Sequence, residues 1–198
     1  MIQIPIEQSR LEPAKTAHAN AVVNYVKSKD NAYQQQLYDN IVKIMPQYSD
    51  FKTLKQADNW KWLSDFILAD VATLKIFVTK EDLLKFKEFK TIYSSKFCNG
   101  ATVYVDDQAK YNAYTLCENL KITVCPYCDE EYLDILKSDG KKTLRTLEID
   151  HFYPKSEYPA LAMCFYNLVP SGQNCNGIKK NELLGMNPYE SNIEACTH

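Results

Sequence analysis

Apolar residues recur three and four positions apart through the first half of the chain, as in Ala21, Val22, Tyr25, Val26 and again in Leu37, Ile41, Ile44, Met45. That interval keeps side chains on one helix face, so several amphipathic helices are expected between Leu11 and about Lys96. Pro46 and the polar stretch Gln47 to Asp50 predict a break. Asp58 is placed to cap a helix that buries Trp60, Trp62, Leu63, Phe66 and Ile67. Thr79 to Lys96 reads as a further helix, starting at Thr79 or Lys80, with Leu83, Leu84, Phe86 and Phe89 as its apolar contacts; Val71 to Val78 fits either a helix or a strand. Asn99-Gly100 signals a turn, Ala101 to Val105 a short strand, and a helix is expected from about Asp107 to Leu120.

Beyond residue 120 the texture changes. In Leu147 to Phe152, the residues Glu148, Asp150 and Phe152 alternate with Leu147, Ile149 and His151, the period-two pattern of a strand that Pro154 ends. An Asp and a His adjacent on a strand point to opposite faces, so Asp150 and His151 are not expected to bond each other, although a strongly twisted strand that faces a helix could still bring both to one active site. A mainly helical α+β chain follows, with a helical, partner-binding region over 1–120 and a second module over 121–198.

Composition narrows the function classes. At 198 residues and 45% hydrophobic, the chain can bury a core of one to two domains, and only 5 glycines against 14 tyrosines and 8 phenylalanines favour helices with aromatic packing. There is no apolar run long enough to span a membrane and no export signal at Met1 to Arg10, which reads as a cytoplasmic protein. The net charge of -2 gives no global attraction to nucleic acid. It divides as +1 over positions 1–120 and -3 over 121–198.

Seven cysteines, an odd number, are scattered at 98, 117, 125, 128, 164, 175 and 196, and their spacing says more than their count. Cys125-Pro126-Tyr127-Cys128 is a knuckle whose two thiolates can face one tetrahedral Zn(II). Cys175 supplies a third ligand from the start of an expected helix. A second knuckle calls for cysteine at 172, where the chain has Gly172. The fourth ligand is then a water, Cys164 or Cys196, or is missing, and a site short of a ligand is expected to carry less than stoichiometric zinc. Two other readings of the pair are a pair of buried reduced thiols and a redox or sensor motif, the last requiring a low-pKa thiol at Cys125 or Cys128.

The ordered set of Cys-x-x-Cys, then Asp150-His151, then Asn167-Leu168, then Cys175-Asn176 followed by Lys179 and Lys180 resembles the HNH endonuclease family over roughly Cys125 to Lys180. The resemblance implies a two-stranded hairpin and a helix around one metal. It also implies His151 as general base, Asp150 and Asn176 as ligands of Mg(II) or Mn(II), and Asn167 as the residue that holds the loop and orients the histidine. Lys155, Lys179 and Lys180 are candidate phosphate contacts, and Glu148 reads as exposed strand surface in preference to a residue supporting the metal from behind its ligands.

The spelling Glu148-Ile149-Asp150-His151-Phe152-Tyr153-Pro154-Lys155, with Asn187-Pro188-Tyr189 downstream, is similar to the bacterial HNH partners of ATPases in Septu-type and retron-associated anti-phage systems. Such proteins continue past the Asn-Pro-Tyr segment, which implies a shortened or a compact member here. DNA is the substrate implied and an ATPase the partner, with a catalytically inactive zinc-knuckle module as the alternative. The acidic residues near Asp129 to Asp139 lead to an expectation of weak, strongly salt-sensitive DNA binding by the chain alone.

Overall fold

The first apolar face becomes helix α1 (Gln8–Lys27), whose buried stripe runs through Ala14, His18, Ala21, Val22 and Val26. Helix α2 (Asn31–Ile44) starts at Asp30, which accepts the Tyr33 N–H at 2.8 Å, and stops where Pro46 opens a 3-10 turn over Pro46–Tyr48. In this computed structural model the residues described are 6, 8–49, 60–77, 86–98, 103–104, 110–137 and 143–189. The Asp58 cap and the Thr79, Lys80, Leu83 and Leu84 positions therefore lie outside them.

Helix α3 (Lys61–Leu68) buries Trp62, Leu63, Phe66 and Ile67, the face that the sequence pattern predicts. The segment after it, open to helix or strand, is helix α4 (Val71–Phe77). Asp70 decides the matter locally, since its carboxylate accepts the N–H groups of Ala72 and Thr73 that would otherwise lack partners in the first turn. Helix α5 (Lys87–Ile92) continues into a π-helical turn, Tyr93–Phe97.

A short antiparallel pair, β1 (Val103–Tyr104) and β2 (Lys110–Tyr111), precedes helix α6 (Ala113–Leu120). This helix begins later than the expected Asp107. Its cap is Asn112, whose side chain accepts from the Tyr114 and Thr115 N–H groups. Strands β3 (Ile135–Lys137) and β4 (Thr143–Arg145) form one hairpin. Strands β5 (Leu147–His151) and β6 (Leu168–Gly172) pair antiparallel from Leu147 opposite Gly172 to His151 opposite Leu168, and helix α7 (Gln173–Lys179) follows directly. The fold is a mainly helical α+β, and its last hairpin and helix follow one another as the resemblance implies.

The regions on either side of residue 120 share one core. His18 on α1 is bonded through Nε2 to the Met163 carbonyl at 2.7 Å, with the Tyr111 hydroxyl 3.3 Å from its other nitrogen. The Tyr93 hydroxyl donates to the Ile149 carbonyl of β5 at 2.8 Å. Helices α1, α3 and α5 thus buttress the loop between β5 and β6. Among the described residues no helix is long and apolar enough to cross a membrane.

Candidate functional site

The knuckle is built by two short arms of backbone. Leu133 N–H donates to Thr123 O at 2.9 Å and Cys125 N–H to Glu131 O at 2.8 Å, while Asp129 N–H closes the turn onto Cys125 O at 2.8 Å. Asp129 takes a φ of 59°, a left-handed value that aspartate tolerates in a tight turn. Helix α7 delivers Cys175 to the same place, and the sulfurs of Cys125, Cys128 and Cys175 all lie within 4.8 Å of one another. Three thiols this close can hold a metal ion. Backbone N–H groups of Glu130 and Glu131 draw the Cys128 thiol below its ordinary pKa, whereas burial pushes Cys175 up to about 12. Cys164 does not join them; its sulfur sits in the core, 3.7 Å from the Phe66 carbonyl. Cys196 lies outside the described residues.

Beside the knuckle, one face of β5 meets one face of α7. Glu148 and Asp150 are two apart on the strand, and Asn176 and Lys179 are three apart on the helix, so each pair shares a face. Asn176 Nδ2 donates to Glu148 Oε2 at 2.5 Å. Lys179 Nζ lies 3.0 Å from Asp150 Oδ2 and donates to the His151 carbonyl at 3.0 Å. Tyr127, from the middle of the knuckle, donates its hydroxyl to the same Asp150 oxygen at 2.6 Å. The Ser171 hydroxyl, on β6 opposite Glu148, is buried without a hydrogen-bond partner among the described residues.

Two expectations change here. Glu148 is half-buried and engaged by Asn176, not exposed strand surface. Lys179, expected to reach out to phosphate, is 4% exposed and forms a buried ion pair. The reason is geometric: its place one turn after Asn176 points it at the strand, and the 5% exposed Asp150 carboxylate needs a counter-charge there. Burial still raises the Asp150 pKa, against the opposing pull of Tyr127 and then Lys179.

Comparison with protein-family models, curated proteins and solved structures found no match.

His151 points to the other face of β5, as strand alternation requires. Its Nε2 is 3.1 Å from the Ala162 carbonyl, and its ring packs edge-on against Tyr93 with centroids 4.2 Å apart. A carbonyl only accepts, so Nε2 carries the hydrogen and Nδ1 presents a lone pair. Burial, followed by the charge of Lys155, lowers the imidazole pKa to about 3, which keeps the ring neutral at any cellular pH. Lys155 is held over the Tyr93 ring at 5.1 Å. Lys180 is exposed just past the end of α7.

Asn167 is fully buried and fastens the β5–β6 loop. Its Nδ2 donates to the Tyr153 and Leu161 carbonyls, and its Oδ1 accepts the Tyr153 N–H at 2.8 Å. The bond that orients His151 comes from Ala162, the residue after Leu161, so Asn167 acts on the imidazole through the loop and not by touching it.

The sequence reading missed Tyr127, Tyr93 and the Ala162 carbonyl. Of these three, Tyr127 carried a signal, since a phenol between the two knuckle cysteines is fixed wherever the knuckle is fixed. It missed His18 too, although its spacing of four from both Ala14 and Val22 places it on the apolar face of α1.

A pH dependence follows from the two buried histidines. Burial lowers His18 to about 4 and His151 to about 3, both below the usual 6.5 of an unfolded chain. Their contribution is fully present above pH 6.5 and is lost as pH falls through the window toward 4 and 3. Each histidine contributes a slope of about 1.4 kcal/mol per pH unit inside that window. Urea unfolding at a series of pH values between 7 and 5 should show stability falling on acidification, with a shallower slope in His18→Asn. Equal slopes in the two proteins would contradict the assignment to His18.

Proposed function

We propose that the chain is a metal-dependent endonuclease of the HNH kind that hydrolyses phosphodiester bonds in DNA, working in bacterial anti-phage defence beside an ATPase partner. The observation that carries this reading is the pairing, on one strand, of a neutral imidazole of fixed tautomer with a buried carboxylate on the opposite face. His151 Nδ1 is the proton acceptor for the attacking water. A phosphodiester bound near Lys155 offsets that lysine's charge, which after burial is the next cause of the lowered His151 pKa, and so raises the basicity of the imidazole.

The oxygen donors of the site fit a hard divalent cation. Asp150 and Asn176 would hold Mg(II) or Mn(II), with Glu148 bonded to the Asn176 amide, and the Lys179 ammonium stands in as the positive charge on Asp150. The ion would supply charge stabilisation to the phosphoryl and departing oxygens. Lys155 and Lys180 are the remaining phosphate contacts, and the acidic chain relies on its partner for affinity. Zinc is the ion proposed for the three cysteines.

One observation favours the alternative, a non-catalytic module that binds protein or nucleic acid: Asp150 is already neutralised by Lys179 and His151 is only 4% exposed. A plasmid-nicking assay separates the two. Nicking that appears with Mg(II) or Mn(II) and is lost in Asp150→Asn is expected of the nuclease; no nicking with either ion, with or without the partner ATPase, is expected of the binding module.

A further inference from the structure

Position 172 is where a second cysteine pair would begin, and it carries no side chain. The backbone does not ask for glycine there, because its φ of -69° is open to any residue. What the missing side chain provides is room. A Cβ built on Gly172 would lie 1.9 Å from Oε2 and 2.1 Å from the carboxyl carbon of Glu131. The Glu131 carboxylate therefore fills the volume that a cysteine side chain would take.

Glu131 is fixed in that place by the knuckle itself. Its carbonyl accepts the Cys125 N–H at 2.8 Å, and its own N–H is directed at the Cys128 sulfur. Its carboxylate reaches the residue that leads into α7, the helix that carries Cys175. It is thus tied to two of the three cysteines through backbone and lies against the element that brings the third.

We propose that Glu131 is the fourth ligand of a structural zinc site whose other ligands are Cys125, Cys128 and Cys175, replacing the cysteine absent at 172. A carboxylate oxygen is an ordinary zinc ligand, and three thiolates with one carboxylate carry the same formal charge as four thiolates. As it stands the carboxylate is outside the 4.8 Å group formed by the sulfurs. Rotation about its flexible side chain closes it onto an ion held between them. The site is then four-coordinate without water, and it clamps the knuckle to α7. Position 172 is not a gap in the site, and stoichiometric zinc is expected instead of the partial content that a bare glycine suggests.

The inference rests on the cysteines holding zinc and is independent of nuclease activity. Its test is zinc content and chelator competition on the full chain, with the visible spectrum after cobalt substitution. Wild type should hold stoichiometric zinc, and Glu131→Gln should bind it at least about tenfold more weakly. The double variant Glu131→Ala with Gly172→Cys should regain affinity, because its thiolate enters the volume that the shortened side chain vacates, and its cobalt spectrum should shift toward that of a site with one more sulfur. Unchanged affinity in Glu131→Gln, beside loss in Cys175→Ser, would overturn the assignment and leave water as the fourth ligand. Zinc-free wild type would remove the cysteine site itself, and the inference with it.

Discussion

Replacing His151 by alanine is expected to lower metal-dependent DNA cleavage by about 100- to 10,000-fold, the range contributed by a positioned general base. In the proposed mechanism Nδ1 is the lone pair that takes the proton, while Nε2 is committed to the Ala162 carbonyl. A fall in activity from misfolding is told apart in two ways. The thermal transition of the variant should stay cooperative, and added imidazole should return part of the activity by filling the space left against Tyr93. The pH profile gives a separate readout. A base whose pKa burial has lowered to about 3 is unprotonated throughout the neutral range, so kcat/KM should show no break near 6.5. A sharp break there, or activity that survives His151→Ala, would remove His151 from the role.

Replacing Lys179 by methionine should destabilise the protein by about 3–5 kcal/mol in buffer free of Mg(II) and Mn(II), the cost of leaving one partner of a buried ion pair alone. For a chain of this size that is a fall in Tm on the order of 10 °C. Methionine keeps the apolar stem, so the loss reports the ammonium and its bonds to Asp150 and to the His151 carbonyl. The informative comparison is the response to cation. A divalent ion bound at Asp150 as proposed would replace the missing charge, so Mn(II) should raise the Tm of Lys179→Met by more than that of wild type. Equal responses would mean that Asp150 does not take a cation, and a loss below about 1 kcal/mol would mean that the pair is not buried as described.

Some of this was legible in the chain and some was not, for physical reasons. Strand β5 was legible because its side chains alternate with period two, and α7 because Cys175, Asn176 and Lys179 follow a turn. The closeness of Cys125, Cys128 and Cys175 followed from the chemistry of a knuckle.

The polar groups that complete the site left no such trace. Lys179 looks like any solvated helix lysine until β5 sets Asp150 opposite it. Glu131 sits on the return arm of the knuckle, where no spacing rule marks a ligand, and only the absent Cβ of Gly172 reveals what its carboxylate fills. The Ala162 carbonyl is backbone and carries no signature in residue type. The start of α6 was expected near Asp107, whereas the helix is capped by Asn112, a residue type equally able to cap a helix.

The most direct test is a crystal structure of the full chain with Mn(II), read by anomalous scattering. One ion bonded to Asp150 and Asn176, with Lys179 moved away from the carboxylate and His151 Nδ1 within reach of a water beside the ion, is the expected result. Mn(II) absent from Asp150, with the Lys179 ion pair intact at saturating metal, would contradict a hydrolytic site at this position.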